Sequence, residues 1–347
     1  MFKKAKMDCL KCLNEEYAIH CRPISKEASL YVKGGAILLM LIAHIIPGSC
    51  VAWHSFNIFT GVCCLGFFAA LTGYAHFILS EKYNSKSSWT ISGASFWKFF
   101  KKYLVCCLFV LPLYLSFNRI RLYDALWVVV PIKSYVLEDS WWYVFCHAVF
   151  CFALFPAVRF VCAKLAQKEF IVFISVLSIC LILLPLTFND PHYPHAFRQM
   201  WGSLPILRTI LIVPYYLMGY AYGKCVHGSS YASLLPIVFT LVLYSLFPFS
   251  SYGISGISAI NIGSSFIICV IALRVMYKSK HIQNLLKFLG IHSVYIWFLH
   301  MPICFFYNVA NLPTNPYFRF VVVLLASLAC SIVILVAGKR LSGNCSA

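Results

Sequence analysis

Apolar stretches of roughly twenty residues, each long enough to cross a bilayer core as a helix, follow one another along the chain and are separated by short polar connections. Read in order, they predict ten spans, near 34–50, 57–79, 102–118, 142–160, 170–188, 205–223, 234–249, 257–277, 287–307 and 318–338. The expected architecture is an all-α integral membrane protein, about ten transmembrane helices in one bundle. Residues 1–33 form an amino-terminal tail, 34–338 the membrane unit and 339–347 a carboxy-terminal tail. Prolines fall within or beside several spans, at Pro112, Pro156, Pro185, Pro214 and Pro302. They predict kinks that free backbone carbonyls for neighbouring helices or a cavity to satisfy.

The connections test the count, because cytosolic loops concentrate Lys and Arg. With the amino terminus inside, the cytosolic segments hold Lys3, Lys4, Lys6, Lys11, Arg22, Lys26 and Lys33, then Lys82, Lys86, Lys98, Lys101 and Lys102. Further along they hold Arg159, Lys164, Lys168, Lys224, Lys278, Lys280, Lys287, Lys339 and Arg340. The opposite connections hold only Arg119, Arg121, Lys133, Arg198 and Arg319. An even number of spans and cytosolic termini therefore support each other. Tyr31, Trp53, Tyr103, Trp141, Trp142 and Trp201 fall near predicted span ends, as interfacial aromatics do. The 119–141 connection is too short for a domain and is expected to act as a lid or acceptor-facing surface.

Composition agrees: 61% of residues are hydrophobic and 11% charged, against about a quarter charged in soluble domains. A water-soluble globule is excluded on that ground. The formal charge of +18 does not point to nucleic acid, because the basic residues lie in short clusters between apolar runs. No cleavable signal is expected, since the chain opens on a polar, lysine-bearing segment and its first apolar run leads into others. Most of the 17 cysteines lie inside apolar runs, where they act as small hydrophobes. Cys9, Cys12, His20 and Cys21 have donor types that zinc favours but untidy spacing, so a reduced, unliganded tail is the expectation and no metal is assigned. Gly219 and Gly223 have the small-residue spacing of close helix packing.

The candidate chemistry begins with Lys33 and His44, eleven positions apart in the first span. Eleven residues make close to three turns, so the two share a face about 16 Å apart, with the lysine at the cytosolic interface and the imidazole near mid-membrane. An ionisable group at that depth needs a partner or a watered cavity and is a functional candidate by default. The bland alternative is a histidine bonded to a neighbouring helix.

A basic residue, ten intervening residues and a histidine in the first span resemble a hallmark of the acyltransferase-3 family of membrane O-acyltransferases. The likeness continues through Gly66-Phe67-Phe68 with Thr72-Gly73-Tyr74, Phe96 to Lys102 with Pro112-Leu113-Tyr114, and Trp141-Trp142-Tyr143 with Phe155-Pro156. It extends to Tyr216 through Tyr220 and to Leu289-Gly290, Ser293, Tyr295, Trp297, His300 and Pro302, covering about 300 residues in order. Lys33 stands where arginine is commoner and Thr72 where serine is usual. The family's cytosolic Arg-x-x-Arg motif has no counterpart, because Arg119 and Arg121 are differently spaced and fall on the opposite side.

The resemblance implies transfer of an acyl group, commonly acetyl from acetyl-coenzyme A, to a hydroxyl of a glycan, lipid-linked sugar or related cell-envelope acceptor, in a multi-pass protein of the inner (cytoplasmic) membrane. His44 is then the expected general base on the acceptor hydroxyl, with transient acylation of His44 the less favoured route. Lys33, Lys101 and Lys102 are expected to hold the phosphates of the acyl-coenzyme A donor, and His300, Trp142 and Tyr74 to line the acceptor site. Lysines in such clusters also set topology alone. The alternative function is a transporter or flippase for a polar glycan or lipid, in which buried histidines line a pathway; no inverted repeat or pair of broken helices supports it. A membrane scaffold without chemistry leaves Lys33 and His44 unexplained.

Overall fold

A computed structural model of the chain describes residues 24–46, 51–117, 120–123, 141, 143–188, 205–227 and 279–343. The amino-terminal tail with Cys9, Cys12, His20 and Cys21, most of the 119–141 connection, Trp142 and the seventh and eighth expected spans lie outside the described residues.

The described residues form an all-α membrane protein without a strand. Its helices are α1 (Lys26–Ile45), α2 (Val51–Lys82), α3 (Ser88–Ser116) and α4 (Tyr143–Val149), then a π segment (Phe150–Leu154) leading into α5 (Phe155–Lys164). After them come α6 (Gln167–Phe188), α7 (Pro205–His227), α8 (Lys280–Val309) and α9 (Pro316–Gly343). Among the described residues, six helical stretches are long and apolar enough to cross a membrane: α1, the Cys64–Lys82 part of α2, α3, α4 through α5, α8 and α9 up to Gly338. They coincide with the first four and last two expected spans, and α6 and α7 occupy the fifth and sixth.

Two starts lie well ahead of the apolar runs, and capping explains both. Ser25 accepts a hydrogen bond from the Ala28 amide and starts α1 eight residues before the expected span. Ser87 caps Thr90 in the same way, so α3 begins at Ser88, in the amphipathic segment that precedes the third run. Because α3 starts so early, Tyr103 lies inside the bundle and not at its edge. Tyr103 and Trp141, expected as interfacial anchors, are both fully buried, ring edge to ring face with centroids 5.3 Å apart, and both pack on Phe298.

One end of the bundle collects the basic residues. Lys287, two turns into α8, pairs with Glu27 at the start of α1. Arg159 of α5 donates to the carbonyls of Asn84 and Lys86 between α2 and α3, and Lys224 of α7 donates to the carbonyls of Cys162 and Leu165 at the end of α5. Charge clusters that the sequence assigns to one side are therefore stitched together in space.

The closest helix pairs are α1 with α8 and α2 with α7. Both seams are built on glycine. A Cβ at Gly34 would collide with the Leu286 carbonyl and one at Gly290 with that of Leu30. Gly73 and Gly219 stand in the same relation to Tyr216 and Ala70, and Gly223 rests on the Phe77 ring. In lipid, where apolar burial between helices is weak, close backbone approach is what holds such pairs. The α1–α8 seam fixes the register of Lys33, His44 and His300.

Candidate functional site

Lys33 lies seven residues into α1, about 10 Å from its start. It opens onto a cavity of about 550 Å³ lined by α1, α2, α3, α4 and α8. The basic end of this cavity is exposed and carries Lys86, Lys98 and Thr90; Lys102 stands further in, its ammonium 5.7 Å from the centre of the Tyr295 ring. No described carboxylate lines the cavity, and Lys33, Lys98 and Lys102 have no ion-pair partner among the described residues. Lysines gathered without a counter-ion repel one another and attract an anion. A neighbouring cavity of about 430 Å³ makes the contrast, because its cations, Arg159 and Lys224, are already taken up by main-chain carbonyls.

The inner wall of the lysine cavity holds two buried imidazoles, His76 and His147. His76 has both nitrogens occupied, Nδ1 by the Tyr216 hydroxyl at 2.9 Å and Nε2 by Ser95 Oγ at 3.1 Å. His147 is 7% exposed, and neither of its ring nitrogens has a hydrogen-bond partner among the described residues.

His44 lies elsewhere. Because α1 starts at Lys26 and already stops at Ile45, ahead of the end of the expected span, His44 falls in its last turn, about 27 Å from the basic end. It is exposed there and bonded to His300 of α8, which is completely buried: His44 Nδ1 and His300 Nε2 are 2.8 Å apart. The proton positions follow from the neighbours. His300 Nδ1 faces the carbonyls of Trp297 at 2.7 Å and Ile296 at 3.3 Å, which only accept. With both rings neutral, His300 is protonated on Nδ1 and accepts on Nε2 from the Nδ1–H of His44. The basic lone pair of His44 is thereby assigned to Nε2.

Pro302 frees the carbonyl of Phe298 by lacking an N–H. The Trp141 indole donates to that carbonyl at 3.0 Å. This anchors the segment entering α4 to α8 at the level of the histidine pair.

Neither His44 nor His300 lines the lysine cavity. Between the two sites lies an aromatic layer. Phe68 and Tyr143 face the cavity and both pack on Trp297, with centroids 5.3 Å apart in each case, and the Trp297 carbonyl is the one that receives His300. Val294, the α8 residue lining the cavity, is six residues or about 9 Å short of His300.

Of the residues singled out from sequence, Lys33 and Lys102 meet at the cavity and His44 meets His300. Lys101 is exposed with its ammonium 5.4 Å from the Trp97 ring centre, and it does not line the cavity. Tyr74 is buried against Tyr222, away from the cavity, and Trp142 lies outside the described residues. Lys86, Lys98, His76 and His147 are among the cavity residues to which the sequence alone gives no role in the site. The signal was present for the two histidines, since each is an ionisable residue within an apolar run, the criterion that singled out His44. Family models, curated proteins and solved structures were each compared with the chain, and none matches it.

Proposed function

We propose that the protein is a membrane-embedded O-acyltransferase that takes an acyl group, acetyl in the simplest case, from acyl-coenzyme A. The acceptor is a hydroxyl of a glycan, lipid-linked sugar or related envelope molecule. The observation that carries this reading is the cavity whose lysines have no ion-pair partner among the described residues, leading inward to within a turn or two of the His44–His300 pair. The resemblance to the acyltransferase-3 family, through Lys33 and His44 and the later segments, supports it further. By the positive-inside rule the basic end faces the cytosol, where the donor is made, in an inner (cytoplasmic) membrane.

In this reading Lys33, Lys98 and Lys102 hold the phosphates, and the flexible arm of the donor runs inward toward the layer formed by Phe68, Tyr143 and Trp297. The acceptor approaches the far end, where His44 is exposed. Its hydroxyl proton passes to His44 Nε2 as the oxygen attacks the thioester carbonyl. The C–S bond breaks, the new ester bond forms, and the proton held by His44 goes to the departing thiolate. His300 keeps the His44 ring turned and protonated on Nδ1, the positioning role that a third group has in hydrolytic triads. The thioester end of the donor passes between the rings of this layer to reach His44, and the rings exclude water around it.

The test is purified protein in proteoliposomes with radiolabelled acetyl-coenzyme A and glycan acceptors. Wild type transfers label, and His44→Ala, present at wild-type level, loses at least a hundredfold of the rate. Full transfer by His44→Ala refutes the mechanism. Absence of both donor binding and transfer in wild type refutes the assignment and favours the transporter.

A further inference from the structure

The His147 side chain is out of keeping with its surroundings. It lies on α4, is nine-tenths buried, and is surrounded by the rings of Phe99 (centroid distance 4.2 Å), Phe96 and Tyr143. Burying an imidazole with both nitrogens unsatisfied is costly, and a core position of this kind normally carries an apolar ring instead. His76, on the same cavity wall, shows what a structural histidine looks like, because the protein supplies partners to both of its nitrogens.

The local backbone sets His147 in the wall of the cavity. The π segment Phe150–Leu154 inserts an extra residue directly after α4, and Ser92 Oγ donates to the Cys151 carbonyl within it. In a plain α-helix His147 and Phe155 would point about 80° apart; the wider turn brings them nearly onto one face. Phe155 packs on the His76 ring, 4.7 Å between centroids, so the shared face is turned toward the side of α2 that lines the cavity.

What would satisfy His147 is set by its chemistry. A neutral imidazole has one donor and one acceptor. A phosphate offers mainly acceptors and a hydrocarbon chain offers neither, whereas a secondary amide offers both, and its methylene neighbours suit the aromatic wall. We propose that His147 is a ligand-binding residue whose ring nitrogens hydrogen-bond the amide-bearing arm of the donor, while Lys33, Lys98 and Lys102 hold its phosphate head. This rests on the acyl-coenzyme A reading and adds to it a residue that measures the arm and not the head.

The test compares two ligands on detergent-purified full-length protein by calorimetry: coenzyme A, which has head and arm, and adenosine 3′,5′-bisphosphate, which has the head alone. His147→Phe weakens coenzyme A binding about tenfold, the loss of roughly one good hydrogen bond. Bisphosphate binding is unchanged, which also shows that the variant is folded. His147→Gln, whose amide restores a donor and an acceptor, recovers most of the loss. Equal coenzyme A affinity in wild type and His147→Phe, or equal weakening of both ligands, overturns the role of His147 while leaving the donor assignment standing. Failure of wild type to bind either ligand overturns both.

Discussion

Replacing Gly290 with alanine tests whether the α1–α8 seam sets the geometry of the site. The added methyl group would overlap the main-chain carbonyl of Leu30 by roughly 1 Å, and a carbonyl within a helix cannot rotate aside as a side chain can. The two helices must part, opening a seam that is fully buried at Ile37, Leu41 and Ile296. Overpacking of this kind costs about 1–3 kcal/mol. A rigid parting by about 1 Å also stretches the 2.8 Å His44–His300 contact beyond hydrogen-bonding distance, and a misplacement of that size costs on the order of a hundredfold in rate. Gly93→Ala is the control, because a methyl group there meets nothing within 4 Å and removes a helix-interior glycine worth about 1 kcal/mol. Thermal unfolding in detergent and acyl transfer are measured on both variants. Gly290→Ala is expected to melt below wild type and lose transfer, and Gly93→Ala to melt at or above it with transfer intact. A Gly290→Ala protein that melts with wild type and transfers at full rate would show that the seam does not fix the site.

Two further predictions separate neighbours that look alike in sequence. Lys33→Met and Lys102→Met should each weaken binding of adenosine 3′,5′-bisphosphate by about tenfold, and Lys101→Met, whose ammonium lies over Trp97 outside the cavity, should leave it unchanged by calorimetry. Trp141→Phe leaves the Phe298 carbonyl unpaired and should cost about 1–3 kcal/mol of stability; adding Pro302→Ala, which restores the missing N–H, should recover much of that in a double-mutant cycle, and strict additivity would argue against the coupling.

The membrane character of the chain follows from sequence alone, because a bilayer of fixed thickness demands apolar runs of fixed length and the loop charges read out their alternation. The placement of Lys33 and His44 on one face of one helix is equally local, since helical periodicity requires only the chain between them. Helix starts were less legible. Ser25 and Ser87 cap α1 and α3 well before the apolar runs begin, which takes Tyr103 from the membrane edge to the core, and α1 stops at Ile45, which leaves His44 in its last turn. Which helices touch was not legible at all. In lipid both faces of a span are apolar, so the amphipathic stripe that marks the buried face of a soluble helix is missing. Only the tertiary structure, through glycine seams that let backbones meet, could pair His44 with His300 across 256 residues of chain and bring Lys98, Lys102 and His147 to the cavity that Lys33 enters. The sequence supplied the ionisable groups, and close backbone packing decided which of them share a site.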